Sequence, residues 1–151
     1  HHHMLLGLQF NQSDLQGVDR KVAMKMSKSK PNTAIFMTDT EEEVTKKFKK
    51  AHSVDGVIED NPVLEYARYI VFELKDKLDI ERPEKYGGNA SYSNYQDLEK
   101  AFQKGDLKSI DLKIAVAKAI NELLDPTRKH FSTDKKAKKL LEQVKSFQIT
   151  R

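Results

Sequence analysis

The sequence predicts a mainly α-helical protein: a bundle of about five helices, preceded by the stub of an α/β domain. Three observations carry that reading. From Val44 onward, apolar residues recur at helical spacing in separate stretches, opened by capping residues and closed by Gly or Pro. One apolar run, Met4-Leu5-Leu6-Gly7-Leu8, reads instead as buried strand and stands before all of them. Between the two lies Lys25-Met26-Ser27-Lys28-Ser29, followed by Lys30, Pro31 and Asn32, with neither a helical period nor a strand alternation.

The bulk numbers set outer bounds. A chain of 151 residues fits one domain, or one small domain and a fragment of another. Apolar residues make up 38% and charged residues 33%, with mean hydropathy −0.70, so the core must come from segregated apolar stripes. Twenty-seven basic against 23 acidic residues leave a charge of +4, which is compatible with nucleic acid without demonstrating it. The absence of cysteine excludes disulfides, thiolate metal sites and a Cys nucleophile. No apolar run approaches the roughly 18–20 residues of a membrane span. His1-His2-His3 lacks the apolar segment of a signal peptide and reads equally as a tag remnant or as native sequence. A cytoplasmic location is the expectation.

Taken in order, Met4–Leu8 has no partner strand nearby, and so reads as the trailing edge of a sheet lying mostly upstream. Residues 9–24 are polar and read as irregular, leading into the lysine loop. Ala34-Ile35-Phe36-Met37 reads as one more short extended piece. Thr40 and Glu43 form a capping box that opens the first clear helix. Glu41, Glu42 and Glu43 suit its positive end and Lys46, Lys47, Lys49 and Lys50 its negative end. Glu42–Lys46 and Glu43–Lys47 have the spacing of ion pairs, and Val44, Phe48 and Ala51 should face inward.

Asn61 as cap and Pro62 at the first helical position open what reads as the central core helix. Its apolar residues, among them Tyr66, Tyr69, Phe72 and Leu74, lie on nearly all sides, which marks core rather than a cofactor box. Residues 80–94, with Pro83 and Gly87-Gly88, allow a small hairpin. A helix over Tyr95–Lys104 should end at Gly105, and Ser109 should cap another that stops before Pro126, with a short turn of helix beyond it. Asp134 can cap the last helix, whose Leu140, Leu141, Val144 and Phe147 share a face. Its Lys135, Lys136, Lys138 and Lys139 read as a solvated outer face. His52 and His130 are isolated, and no His/Asp/Glu set has metal-ligand spacing.

Three lysines and two serines on a short loop suit a polyanion such as a triphosphate, since ammonium groups supply charge and hydroxyls supply donors. The loop is similar to the signature loop of class I aminoacyl-tRNA synthetases. Six further blocks extend the likeness: Met4–Leu8, Lys49-Lys50-Ala51, Asn61 to Ala67, Arg82 to Gly88, Asp111-Leu112-Lys113, and Leu124 to Arg128. In this order, over most of the chain, they resemble a tyrosyl-tRNA synthetase of the archaeal and eukaryotic type. A tryptophan-specific relative is disfavoured by the Pro83-to-Gly88 and Asp111-to-Lys113 blocks.

The resemblance implies the end of a class I Rossmann-type catalytic domain over 1–39 and a helical anticodon-binding domain over 40–151. It implies that Lys25, Met26, Ser27, Lys28 and Ser29 bind ATP, with Lys25 and Lys28 catalytic and magnesium accompanying the ATP. Lys30 is a weaker third cation. Tyr86 is implied to stack on the first anticodon base, Asp111 to read its Watson–Crick edge, and Pro83 to wall the pocket; Lys108 and Ser53 stand at lining positions with altered residue types. The chemistry is coherent, because a carboxylate accepts the N–H donors of guanine and an aromatic face stacks on any base. The implied partners are tRNA(Tyr), ATP and tyrosine, with a homodimer for the full-length protein. The glycine- and histidine-rich ATP loop and the tyrosine pocket of the family are absent, so the chain alone is expected not to charge tRNA. A non-catalytic RNA-binding module retaining the same fold is the alternative, disfavoured by the intact lysine loop.

Overall fold

The computed structural model describes residues 3–10 and 17–147 and is mainly helical, with one small sheet. The lead-in read as irregular ends in a helix, α1, Gly17–Met24. Eight residues make barely two turns, too short a stretch for periodicity to detect, and the Met24 side chain, 4% exposed, ties the helix down at its end. The Met4–Leu8 run also has a partner after all. Leu6 forms an antiparallel bridge with Lys25, and the Gly7 amide donates to Met24 O at 2.8 Å. Leu8 is fully buried in the same core as the helices, and its carbonyl accepts from the His52 amide at 2.7 Å.

Ala34–Met37 forms no strand. Ala34 is extended and buried, but the segment closes in a turn in which the Asp39 amide donates to Phe36 O. Helix α2, Glu41–Lys49, starts at its capping box: Thr40 N donates to Glu43 Oε2 at 2.8 Å and Glu43 N to Thr40 Oγ1 at 3.2 Å. Val44, Phe48 and Ala51 are buried as expected.

Helix α3 runs as Pro62–Tyr66, a π-helical stretch Ala67–Val71, and a last turn Phe72–Leu74. The Asn61 side chain accepts from the amides of Val63 and Leu64, as a cap should. The π stretch offsets the helical register, so not every apolar residue reaches the core. Tyr66 is buried against Phe48, ring to ring edge-on at 5.3 Å, whereas Tyr69 is at the surface and Leu74 is 65% exposed.

Strands β1, Leu78–Ile80, and β2, Ala90–Tyr92, pair antiparallel with Asp79 opposite Ser91. Helix α4, Tyr95–Lys104, is capped by Asn94 and stopped by Gly105 in a left-handed conformation at φ 84°. Helix α5, Ser109–Thr133, does not stop before Pro126 but passes through it. The proline withholds one amide, and Arg128 grips the turn ahead of it, donating to Asn121 O and Asn121 Oδ1. Nor does Ser109 cap this helix by its hydroxyl: that group donates to Ser53 O, while the Asp55 carboxylate accepts from the Ser109 amide at 2.6 Å. Helix α6, Lys135–Ser146, is capped by Asp134. Its Leu140, Val144 and Phe147 are more than half exposed.

Candidate functional site

The lysine loop is short, and its root is held by backbone. Besides the Gly7–Met24 bond, Leu8 N donates to Thr33 O at 2.9 Å. A Cβ at Gly7 would stand 3.1 Å from Thr33 Cβ and 3.3 Å from Met24 O, so glycine relieves a crowded approach there. Inside the loop Thr33 acts as a staple. Its hydroxyl accepts from Ser27 N at 3.0 Å and donates to Lys30 O at 2.8 Å, while Lys30 N reaches Ser27 O at 3.1 Å. Ser27 and Ser29 pair with each other through their hydroxyls at 2.9 Å, so each is already engaged. Met26 is half-buried and packs against the core. What remains outward is Lys25, Lys28 and Lys30, all exposed, and among the described residues none of the three makes an ion pair.

Behind the loop stands a buried pair that the sequence pattern does not announce. Lys47 turns inward and donates to Asp39 Oδ2 at 2.6 Å and Ala34 O at 2.9 Å, with its ammonium 4.8 Å from the Phe36 ring centroid. The spacing-based pair Glu43–Lys47 is therefore not formed. Glu43 serves Thr40 instead, and the Thr40 amide holds its carboxyl below the ordinary range, helped by the hydroxyl. Arg128 Nε donates to Asp39 O at 2.8 Å, so α5 holds the start of α2.

The second candidate centre lies where the turn after β1 meets the start of α5. Pro83 O accepts from Tyr86 N at 2.9 Å, and Gly87 closes the turn at φ 102°. Tyr86 projects from it 62% exposed, with the Lys85 ammonium 4.9 Å from its ring centroid. Asp111 sits in the first turn of α5, near the positive end of the helix dipole. Arg82 joins the two: its guanidinium donates to Gly88 O at 2.8 Å and Asp106 O at 2.7 Å, and Nη1 lies 3.7 Å from Asp111 Oδ2. Pro83 is exposed at the turn's start and Lys108 is exposed before α5. Ser53 is a structural tie, accepting from Asn61 Nδ2 by its hydroxyl and from Ser109 by its carbonyl. One residue before Asp111, Ile110 begins a hollow of about 420 Å³ between α2 and α5, lined also by Thr45, Lys49, Lys113, Ile114 and Lys118. Burial pushes the Lys113 ammonium down, opposed by the Asp55 charge. Among the described residues no group of three or more metal-ligating side chains comes together.

The chain is similar to known proteins over most of its length. The family model described as tRNA synthetases class I (W and Y) matches residues 15–125. The cytoplasmic tyrosine–tRNA ligase 1 of Arabidopsis thaliana is 44% identical over 150 residues, covering 99% of this chain and 36% of the relative. The tyrosine–tRNA ligase of Thermococcus sibiricus is 43% identical over 157 residues, covering 100% of this chain and 41% of its own length. The solved tyrosyl-tRNA synthetase of Pyrococcus horikoshii, complexed with L-tyrosine, superposes with a TM-score of 0.83 at 36% identity, over 95% of this chain and 40% of that one. The chain thus spans well under half the length of these relatives.

Proposed function

The chain belongs to the class I tRNA synthetases of the tryptophan and tyrosine group, on the archaeal and eukaryotic tyrosyl branch, and from that premise we propose that it supplies two working parts of a tyrosine–tRNA ligase. Residues 1–39 bring the ATP loop at the end of the catalytic domain, and residues 40–151 form the anticodon-binding domain. The observation that carries the first assignment is the pair of exposed ammonium groups of Lys25 and Lys28, without an ion-pair partner among the described residues, on a loop stapled by Thr33. Cations without internal carboxylate partners, on a backbone that is already ordered, lose little on meeting a polyphosphate.

In the proposed reaction the tyrosine carboxylate attacks the α-phosphorus of ATP and pyrophosphate departs. Lys25 and Lys28 neutralise charge gathering on the departing oxygens, and Lys30 adds to the field. Magnesium comes with the phosphates of ATP, and no side chain of this chain is assigned to it. After activation, tyrosine passes to tRNA(Tyr), whose first anticodon base stacks on Tyr86 and offers its edge to Asp111, with Pro83 as a wall. The partners are tRNA(Tyr), ATP and tyrosine, in a homodimeric, cytoplasmic full-length enzyme. By itself this segment, which spans well under half the length of its relatives, is expected to show no tyrosine-dependent ATP–pyrophosphate exchange.

The test uses a ligase of the relatives' full length that carries this segment. Lys25→Ala and Lys28→Ala should each raise the barrier to adenylate formation by about 2–4 kcal/mol, read by single-turnover kinetics, with tyrosine affinity unchanged. Adenylate formation at the unaltered rate in both would reduce the loop to a connector.

A further inference from the structure

Arg82 was singled out by neither charge spacing nor exposure, yet it makes more long-range polar contacts than either proposed pocket residue. Its side chain is 8% exposed, and it spans three segments. Nε donates to Gly88 O within the turn that carries Tyr86, Nη1 donates to Asp106 O in the α4–α5 connection, and the same nitrogen faces the Asp111 carboxylate. The backbone closes around it: Asn89 Oδ1 accepts from Arg82 N at 3.0 Å, and a Cβ at Gly87 would stand 3.1 Å from Nη2. Only a planar, forked cation supplies these directions at once.

The Asp111 contact differs from the two carbonyl contacts. At 3.7 Å it is too long for a hydrogen bond, so it holds the carboxylate by charge without occupying an oxygen lone pair. Asp111 therefore stays oriented and keeps its acceptor capacity for a ligand. A tight bidentate pair would consume the oxygens that a base edge needs.

We propose that Arg82 is the positioning residue of the base pocket, fixing the Asp111 carboxylate and the Tyr86 turn in one frame and thereby setting base preference. The proposal rests on the reading of Asp111 and Tyr86 as that pocket. Arg82 itself touches no base in this scheme. Its removal is expected to show in discrimination among bases rather than in general affinity.

The experiment is binding of four anticodon stem-loops, differing only in the first anticodon base, to the 151-residue chain and its variants. Wild type should prefer guanine, and Asp111→Ala should lose that preference. Arg82→Gln should lower the guanine preference by about tenfold, while affinity for the other three stem-loops falls by less than about threefold. In the double variant Arg82→Gln should lower the guanine preference no further than Asp111→Ala does, because its effect on that preference passes through the carboxylate. Arg82→Lys retains the charge without the fork and should give an intermediate preference; if Arg82→Gln fails to fold by circular dichroism, this variant decides alone. A wild-type preference in the folded Arg82 variants, or an equal loss for all four stem-loops that adds to Asp111→Ala, overturns the positioning role. If Asp111→Ala itself leaves the preference intact, the pocket reading fails first and the inference falls with it.

Discussion

Replacing Asp39 by alanine strands a buried ammonium. Lys47 is 8% exposed and has three neighbours of opposite or induced charge: the Asp39 carboxylate at 2.6 Å, Ala34 O at 2.9 Å and the Phe36 ring at 4.8 Å. Alanine leaves one neutral carbonyl and one ring face. Removing a single partner of a buried pair costs about 3–5 kcal/mol, because the remaining charge is neither solvated nor compensated. The Phe36 amide also loses its acceptor, Asp39 Oδ2 at 2.8 Å, which is worth about 1 kcal/mol more. Against this, Lys47 borders an open hollow with Lys46 and Lys50, and a flexible stem can carry its ammonium to water there. The lower figure, about 3 kcal/mol, is therefore expected for Asp39→Ala. For a chain of this length that is a fall in Tm of roughly 6–12 °C. The double variant Asp39→Asn with Lys47→Met removes both charges, keeps an acceptor for the Phe36 amide, and should recover at least half the loss. Urea unfolding of wild type, Asp39→Ala and the double variant, followed by far-ultraviolet circular dichroism, measures both. A single-variant cost below about 1 kcal/mol, or a double variant as unstable as the single, would refute the claim that an uncompensated charge is what destabilises.

The remaining predictions concern the frame, pH and RNA. Arg128→Ala gives up bonds to Asp39 O, Asn121 O and Asn121 Oδ1 and should cost about 2–3 kcal/mol in the same unfolding assay, with Arg128→Lys recovering less than half. The Glu43 carboxyl is depressed below its usual 4.5 by the Thr40 amide. A depressed folded pKa contributes stability above the unfolded value and loses it as pH falls through the folded one. The stability gap between wild type and Glu43→Ala should therefore hold near neutral pH and shrink below about pH 4.5. Tyr86→Ala should weaken binding of all four stem-loops evenly, by about 1–3 kcal/mol, since stacking tolerates any base; a change confined to guanine would contradict its assignment.

What was legible in the fold was local. Thr40 with Glu43, Asn61 with Pro62, Gly105 and Asp134 each mark a helix end through bonds made within four residues, and those ends stand where the residues put them. What was not legible needed a partner from elsewhere. Leu6 pairs with Lys25, on the far side of α1, a pairing that no local pattern announces. Pro126 reads as a stop by its own chemistry, and α5 continues because an arginine two residues later holds the preceding turn. The π stretch at Ala67–Val71 is likewise invisible to a 3.6-residue period, which is why the period assigns Leu74 to the core although it lies in solvent.

The candidate site divides along the same line. Residues proposed to touch a ligand, Lys25, Lys28, Tyr86 and Asp111, belong to types whose chemistry names the ligand, and a motif can carry them. Residues that hold those groups in place act through backbone carbonyls, which every position in the chain offers equally. Arg82 works on Asp106 O, 24 residues away, and Arg128 on Asp39 O, 89 residues away. Both are half-buried or deeper, and both use the forked donor set to join two segments that sequence leaves separate. The consequence is an asymmetry in how the two classes of residue should respond to substitution. Loss of a lysine in the loop should change a rate and leave stability intact, whereas loss of Arg128 should lower stability. Arg82 stands between them, bound into the frame through two carbonyls and facing the pocket through Asp111. Its effect should therefore appear as lost selectivity in a chain that still folds.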